Sequence, residues 1–517
     1  MSTSDLPTPG GAPLREALLA ADFTPDGLLE RLGAAAYAAL ARGETVPALR
    51  ATRDGDAAAV LARLFLLRTP VPAKRAAEVL PLDAALDAGW LRRTPGGTSG
   101  GEDGDDAEDT VGAAVDIRPW AGPGGENWFI VSDAGHALGG RAGAAAGSPS
   151  PDVVLGVGGA STTLTQLIPD TPVGRVLDVG TGCGIQALHL TRHASAVTAT
   201  DPNPRALRMA DLTLELSAAP TAEFREGSLY EPVADLEPFD LIVSNPPFVI
   251  SPPEPGGPRL VYRDAGLAGD ELCRSLVRGA ADRLNPGGIL VMLANWEHPA
   301  DGDWRERLVS WLPPGCDAWI VQREEQDVTE YAELWLRDAG DHRDDPKRYA
   351  ARYDSWLENF VARGVRGVGM GWIMVRRSET RRPSVLVEEW PHAVRQPLGP
   401  TVAGYFELCG VLRERNDERL LAGRYRLADE VVQEQIGLPG AEHPEHVVLR
   451  QHFGMMRALT VDTIGAGFAG ACDGTLTAGA IGEAIARLID DDPVELRSRL
   501  PELLRGLLEQ GFLLPVD

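Results

Sequence analysis

Residues Val176-Leu177-Asp178-Val179-Gly180-Thr181-Gly182-Cys183-Gly184-Ile185-Gln186-Ala187-Leu188 join an apolar run, three alternating glycines and a helical pattern. The glycines let the backbone turn sharply and approach a ligand with no Cβ in the way. Nicotinamide and flavin sites use similar turns, so the turn alone does not choose a ligand. The acid ahead of it does. Asp178 ends the run just before Gly180, where a carboxylate repels a dinucleotide pyrophosphate. A sulfonium ligand with a free ammonium group meets no such repulsion. Asp201 ends the next apolar run, 21 residues after Gly180. A carboxylate at that spacing accepts hydrogen bonds from both hydroxyls of a ribose.

The second chemical signal is Leu241-Ile242-Val243-Ser244-Asn245-Pro246-Pro247-Phe248. It ends a later strand pattern, and open α/β sheets hold ligands at the C-terminal ends of their strands. Two prolines make the turn rigid and offer no N–H. The Asn245 side-chain oxygen and the Pro246 carbonyl therefore form a pair of acceptors. They match the two hydrogens of a planar amide or amino NH₂, on which Phe248 can stack.

Together these residues resemble the class I S-adenosylmethionine-dependent methyltransferases, in the branch with an (Asp/Asn/Ser)-Pro-Pro-(Tyr/Phe) motif that methylates planar nitrogens. That branch includes release-factor glutamine methyltransferases, rRNA guanine-N2 and adenine-N6 methyltransferases and DNA adenine methyltransferases. The resemblance covers residues 151–377 and is specific for the reaction type, not the substrate. It includes Gly156-Val157-Gly158-Gly159-Ala160-Ser161-Thr162-Thr163, a run similar to the cleft-lining segment of rRNA and ribosomal-protein members. It implies that Asp178, Gly180, Thr181, Gly182 and Gly184 line the methionine end of S-adenosylmethionine. Asp201 would hold the ribose, and Gly227-Ser228-Leu229 would flank the adenine. Family members often carry Asp where this chain has Ser228. Asn245, Pro246 and Phe248 would hold the acceptor and carry catalysis, with Asn245 also bordering the cofactor. No dedicated histidine base is visible, and none is required, because an alkylated amide or aryl nitrogen is acidic enough to lose its proton late to water or a carbonyl.

The elements around these motifs must form a sheet. Arg175–Val179, Ala196–Thr200, Leu241–Ser244, Ile289–Ala294, Ala318–Val321 and Gly369–Val375 read as strands alternating with helical stretches, among them Val328–Asp338. That pattern predicts an α/β fold, a Rossmann-like, mostly parallel sheet covered on both faces. We place the methyltransferase domain at residues 151–400. Residues 1–93 read as an N-terminal helical module, with helices over Pro72–Leu80 and Leu82–Leu91. Residues 94–112 read as an acidic, Gly-rich linker: six of the eight residues from Glu102 to Asp109 are acidic. Residues 113–150 begin with two short strands, Ala114–Pro119 and Asn127–Ser132, about a Gly-Pro-Gly-Gly turn. Residues 401–517 read as a second helical module, with amphipathic runs at Leu476–Leu488 and Val494–Leu508. Both flanking modules are of a winged-helix-like kind.

Composition sets the outer limits. The chain has 517 residues, and 75 acids against 49 bases give a net charge of −26. That argues against a surface devoted to phosphate backbones and against docking on an anionic membrane. Five scattered cysteines are not a disulfide framework and suit a reducing cytoplasm. Met1–Arg15 carries no secretory signal pattern, and no apolar run reaches the length of a membrane span. His443, His446 and His452 lack a cysteine at ligand spacing and read as surface residues, so no metal is expected. Cys183 reads as a packing residue. Trp296 borders either the acceptor pocket or the core. Tyr262, Arg263, Asp264 and Asp270 follow the Asn-Pro-Pro-Phe turn, where related enzymes close over substrate. The favoured acceptor is a protein glutamine or similar amide, of the translation machinery, because neither flanking module shows a basic stripe with interleaved aromatics. The alternatives are an exocyclic base amine of rRNA or tRNA, a secondary metabolite, and a non-catalytic scaffold that retains cofactor binding. The intact Asp178, Asp201 and Asn245 speak against the scaffold. The sequence leaves the oligomeric state open.

Overall fold

The computed structural model describes residues 6–8, 10–94, 109–133, 152–252, 267–338, 342, 345–439, 444–490 and 492–516. They fall into two compact units. The first comprises Met1–Thr165, Thr171–Arg381 and Val385–Glu389; the second comprises Gln166–Asp170, Arg382–Ser384 and Trp390–Asp517.

The first unit is built on eight strands: β1 (Val173–Val179), β2 (Ala194–Asp201), β3 (Glu223–Glu226), β4 (Phe239–Ser244), β5 (Leu284–Pro299), β6 (Cys316–Asp327), β7 (Val365–Arg377) and β8 (Val385–Glu389). Their order across the sheet is β3-β2-β1-β4-β5-β7-β6-β8. β3 through β5 pair in parallel. β7 runs antiparallel to both β5 and β6, and β8 is parallel to β6. The central parallel strands β1, β4 and β5 are Val/Ile/Leu-rich because helices cover both faces. Helix Pro204–Leu216 starts where Asn203 caps the Arg205 N–H and Pro204 pre-sets the first turn. Helix Glu271–Arg283 buries Leu272, Cys273, Leu276 and Val277 in the same core as Leu177, Ile242 and Leu290.

Strand order makes β1 and β4 neighbours although helices and two strands separate them in sequence. Their register pairs Val179 with Ser244, so the Gly-rich turn and the Asn-Pro-Pro-Phe turn leave the sheet side by side. The Ser244 hydroxyl donates to the Val179 carbonyl at 2.8 Å and ties the two exits together. β5 and β7 outrun this edge: the last β4 pair is Met292 with Ser244, whereas β5 stays paired with β7 as far as Pro299. The connection from β6 to β7 contains helices Val328–Asp338 and Pro346–Ala362. Their Tyr331, Leu336, Trp356 and Phe360 form a separate apolar core with Ile250, just past the Asn-Pro-Pro-Phe turn.

The N-terminal helices do not stand as a unit of their own; they cluster with the sheet. The hairpin Asp116–Ala121/Asn127–Ser132 docks on helix Pro204–Leu216. There the Phe129 and Val131 N–H groups donate to the Ser217 and Thr213 hydroxyls, each at 3.0 Å. The expected helix through Leu91 ends earlier, at Asp87, and Leu91–Thr94 is a strand. Of the expected linker, residues 95–108 lie outside the described residues, and Thr110–Ala113 is a strand paired to Leu91–Thr94. The second unit carries helices Gly399–Glu414, Asp417–Ala422, Thr463–Ala471, Ala478–Ile489 and Pro493–Glu509. It also holds two three-stranded sheets that the helical reading of residues 401–517 lacked. Those strands are four to six residues long, too short for periodicity to reveal. No helix among the described residues is long and apolar enough to cross a membrane.

Candidate active site at the ends of strands β1, β2 and β4

The turn after β1 is held open by its glycines. Gly180, Gly182 and Gly184 have φ of +76°, +56° and +83°, which only glycine adopts without cost. A Cβ on Gly180 or Gly182 would meet nothing within 4 Å, so both present bare backbone to open space. Gly184 differs: a Cβ there would lie 2.8 Å from the Ala210 Cα. Its missing side chain lets helix Ile185–Leu190 pack against helix Pro204–Leu216. The N–H groups of Gly180 and Thr181 both donate to the Thr200 carbonyl, at 2.9 and 3.0 Å, which fixes the turn to the end of β2.

Two buried carboxyls face this turn. Asp178 accepts from the Ala187 N–H through Oδ2 at 3.1 Å, while its Oδ1 and the nearby Thr181 hydroxyl are buried with no hydrogen-bond partner. Burial pushes Asp178 up to about 7, opposed by the neighbouring Thr181 hydroxyl and the Ala187 N–H and reinforced by the Asp201 charge. Asp201 spends one oxygen on the Gly182 N–H at 3.1 Å and the other on the Asn203 N–H at 2.9 Å. Burial pushes it up to about 6, against these two bonds. Each Asp201 oxygen keeps a further lone pair for a ligand hydroxyl. Gly227 closes the wall of the site by donating to the Asp201 carbonyl at 3.1 Å. Next to it, Ser228 is exposed and Leu229 turns with φ +53° to pack partly on the sheet core.

At the end of β4, Pro246 is buried and Asn245 and Phe248 are half-buried. The Asn245 Nδ2 donates to the Ser161 hydroxyl at 3.2 Å. Amide orientation follows the hydrogen-bond network, and a donor facing Ser161 leaves Oδ1 as the free acceptor. The Ser161 carbonyl in turn accepts from Gln186 Nε2 at 3.2 Å. Ser161 lies in the first turn of helix Gly159–Leu167, so the upstream Gly156–Thr163 run meets both turns. Beyond the motif, the Tyr331 hydroxyl accepts from the Ile250 N–H at 3.0 Å and from Asn295 Nδ2 at 2.9 Å.

Sequence reasoning did not reach Ser161 as a bridge, nor Gln186, Ser244 or Tyr331. The serine lay in the quoted upstream run; Tyr331 carried no sequence signal, being 81 residues from its partner Ile250. Trp296 is a core residue, fully buried, bonded to Gln322 at 3.1 Å and stacked on Trp304. Asp270 is buried in an ion pair with Arg307 and accepts from the Glu297 N–H at 2.9 Å, so it is spent on structure. Tyr262, Arg263 and Asp264 lie outside the described residues. Cys183 is buried, and its thiol is pushed up to about 12 by that burial, which suits packing and not nucleophilic attack. His446 begins a strand, His452 donates its N–H to the Glu430 carbonyl, and His443 lies outside the described residues. No cluster of metal-ligating side chains occurs among the described residues.

The sequence of this region is similar to that of known proteins. Residues 156–307 match the family model described as the methyltransferase small domain. Residues 20–100 match a domain of unknown function, DUF7059. A release factor glutamine methyltransferase of Deinococcus radiodurans is 41% identical over 126 residues, 23% of this chain and 44% of the relative. A ribosomal protein uL3 glutamine methyltransferase of Bradyrhizobium diazoefficiens is 31% identical over 153 residues, 28% of this chain and 47% of the relative. A ribosomal RNA small subunit methyltransferase C of Shigella flexneri is 30% identical over 139 residues, 26% of this chain and 35% of the relative. The chain thus spans less than half the length of these curated relatives. With its strand order and paired turns, the sheet of the first unit has a class I methyltransferase fold.

Proposed function

We propose that this chain is an S-adenosylmethionine-dependent N-methyltransferase whose acceptor is a planar NH₂, the side-chain amide of a protein glutamine in the translation machinery, and that it works in the cytoplasm. The observation that carries the reading is the Asn245–Ser161 hydrogen bond, which turns the asparagine oxygen into an acceptor beside the Pro246 carbonyl. Two glutamine methyltransferases among the relatives favour a protein acceptor.

The turn after β1 fits the cofactor. Gly180 and Gly182 offer bare backbone, and the unpaired Asp178 Oδ1 and Thr181 hydroxyl offer buried polar atoms in need of partners. Asp178, Thr181, Gly180 and Gly182 would hold the methionine end, and Asp201 the ribose. Ser228 and Leu229 would border the adenine. Gly184 serves this site through helix packing. When bound, the cofactor supplies an electrophilic methyl group.

The remaining work falls to the chain's own residues. Asn245 Oδ1 and the Pro246 carbonyl accept from the two hydrogens of the acceptor NH₂ and fix its orientation. The same two oxygens favour the positive charge that develops on nitrogen as its lone pair becomes available. Phe248 covers the planar group. Once the nitrogen is alkylated, its proton departs to water or a neighbouring carbonyl, so no strong base is needed.

The test is transfer of labelled methyl from S-adenosylmethionine into a fractionated cell extract, followed by nuclease or protease digestion. Label that survives nuclease and is released by protease is expected. Label removed by ribonuclease would instead support a base amine of RNA, the chemistry named for the Shigella flexneri relative.

A further inference from the structure

The second unit contains a cavity of about 540 Å³ that belongs to no part of the methyltransferase site. Arg415, Arg419, Arg424 and Glu414 line it, with Gly423 and Thr477. Three guanidinium groups around one cavity are notable in a chain whose net charge is −26. None of the three pairs with a carboxylate among the described residues. Asp417 pairs with Arg505 at 2.9 Å and Asp429 with Arg426 at 3.1 Å.

The cavity opens to solvent, with Glu414, Arg419 and Arg424 exposed and Arg415 half-buried, but its arginines are held in place. Arg415 Nη1 donates to the Tyr425 hydroxyl at 3.4 Å, and that hydroxyl donates to the Leu420 carbonyl at 3.0 Å. Tyr425 is itself 1% exposed, so the anchor is rigid. Gly423 makes room for this arrangement: a Cβ there would come within 3.1 Å of Arg415 Nη1 and 2.5 Å of the Tyr425 hydroxyl. Arg419 is steadied on the Glu414 carbonyl at 3.3 Å. Arg424 is set by strand pairing, opposite Thr477 and Val516.

We infer that this cavity binds a terminal phosphate dianion. Guanidinium forks match phosphate oxygens bidentately and stay charged at every physiological pH. With Glu414 counted, the lining carries two net positive charges, the charge of a phosphomonoester and not of a carboxylate or a backbone phosphodiester. A small phosphorylated molecule and the 5′-phosphate end of an RNA share this chemistry.

The experiment uses the full chain at about 0.15 M salt, where screening confines nonspecific attraction to roughly 8 Å. Titration calorimetry with inorganic phosphate should give saturable binding, with acetate at least about tenfold weaker. Arg415→Gln and Arg424→Gln should each weaken phosphate by about tenfold or more while circular dichroism and melting temperature hold. Gly423→Ala, which crowds Arg415, should do the same should either arginine variant misfold. A short RNA with a 5′-phosphate binding better than its 5′-hydroxyl twin identifies the RNA source; phosphate binding with neither RNA identifies a small molecule. No saturable phosphate binding, equal affinity for acetate, or variants that bind as tightly as the parent would overturn the inference. Because no step involves methyl transfer, these outcomes are independent of the reaction proposed above.

Discussion

Ser161 Oγ accepts a hydrogen bond from Asn245 Nδ2 at 3.2 Å, joining the segment ahead of β1 to the turn after β4. The bond decides which end of the asparagine amide faces the acceptor. Ser161→Ala removes that choice without opening a large cavity. A neutral hydrogen bond is worth about 0.5–1.5 kcal/mol net, so kcat should fall by about two- to twelvefold. Cofactor affinity should change little. Calorimetry with S-adenosylhomocysteine beside single-turnover kinetics separates the two; an unchanged kcat would remove Ser161 from the site.

Asp201→Ala should act on the other half of the site. Losing the charge-assisted acceptor pair should cost about 1.5–3 kcal/mol of cofactor affinity. Calorimetry in the folded variant reads this directly, and unaltered affinity would take Asp201 out of ribose binding.

The same two carboxyls make the site pH-dependent. Burial raises Asp178 to about 7 and Asp201 to about 6 from 3.8. The folded state therefore holds these protons more tightly than the unfolded chain. Their stabilising contribution is complete below about pH 4 and is lost as pH rises through about 6 to 7. Asp178→Asn should flatten the fall in melting temperature across that window. Cofactor affinity should move the opposite way, rising from pH 5.5 to 7.5 with proton release, since ionised carboxylates are the better acceptors. Melting curves and calorimetry in two buffers of different ionisation enthalpy test both signs.

The central parallel strands were legible because strands buried on both faces must be apolar, and Val176–Val179 and Leu241–Ser244 show it, whereas the exposed edge strand Glu223–Glu226 was not. The two turns were legible because glycine and proline restrict the backbone in ways composition displays directly. What sequence order hid is adjacency. Nothing local states that Ser161 meets Asn245, or that Tyr331 meets Ile250, since those contacts arise from strand order and from the connection between β6 and β7. Short strands such as Arg424–Leu427 and Leu513–Val516 escaped because four residues carry too little periodicity to separate a strand from a helix end. Gly184 shows the converse: the glycine is plain in the sequence, but the close approach of Ala210 that requires it is not.

That reason separates the glycines experimentally. Gly184→Ala forces a Cβ into Ala210 at φ +83°. Left-handed strain and overpacking together should cost about 2–5 kcal/mol of stability. Gly182→Ala, at φ +56° with open space around it, should cost only about 1–2 kcal/mol, yet should obstruct the cofactor. Denaturant melts and cofactor titration should therefore rank the two variants in opposite orders. Equal stability losses would contradict the packing role of Gly184.

Tyr331 is the sharpest test of how the acceptor turn is held. Its hydroxyl is buried and receives both the Ile250 N–H and Asn295 Nδ2. It thereby fixes the chain five residues beyond Asn245. Tyr331→Phe keeps the ring in its apolar core but leaves two buried donors without this acceptor, each costing about 1–3 kcal/mol. Relaxation of the turn would release that cost and move Asn245 and Pro246 out of register with the acceptor nitrogen. The expected result is a kcat reduced by about ten- to a hundredfold, with S-adenosylhomocysteine affinity within about twofold of the parent, because the Tyr331 hydroxyl receives Ile250 and Asn295 and neither belongs to the proposed cofactor site. A purely structural loss would lower both in proportion to the unfolded fraction. Asn245→Ala provides the reference, with cofactor affinity nearly intact and methyl transfer lowered by orders of magnitude. If Tyr331→Phe weakens cofactor binding as much as it slows transfer, the hydroxyl supports the fold at large and not the acceptor turn.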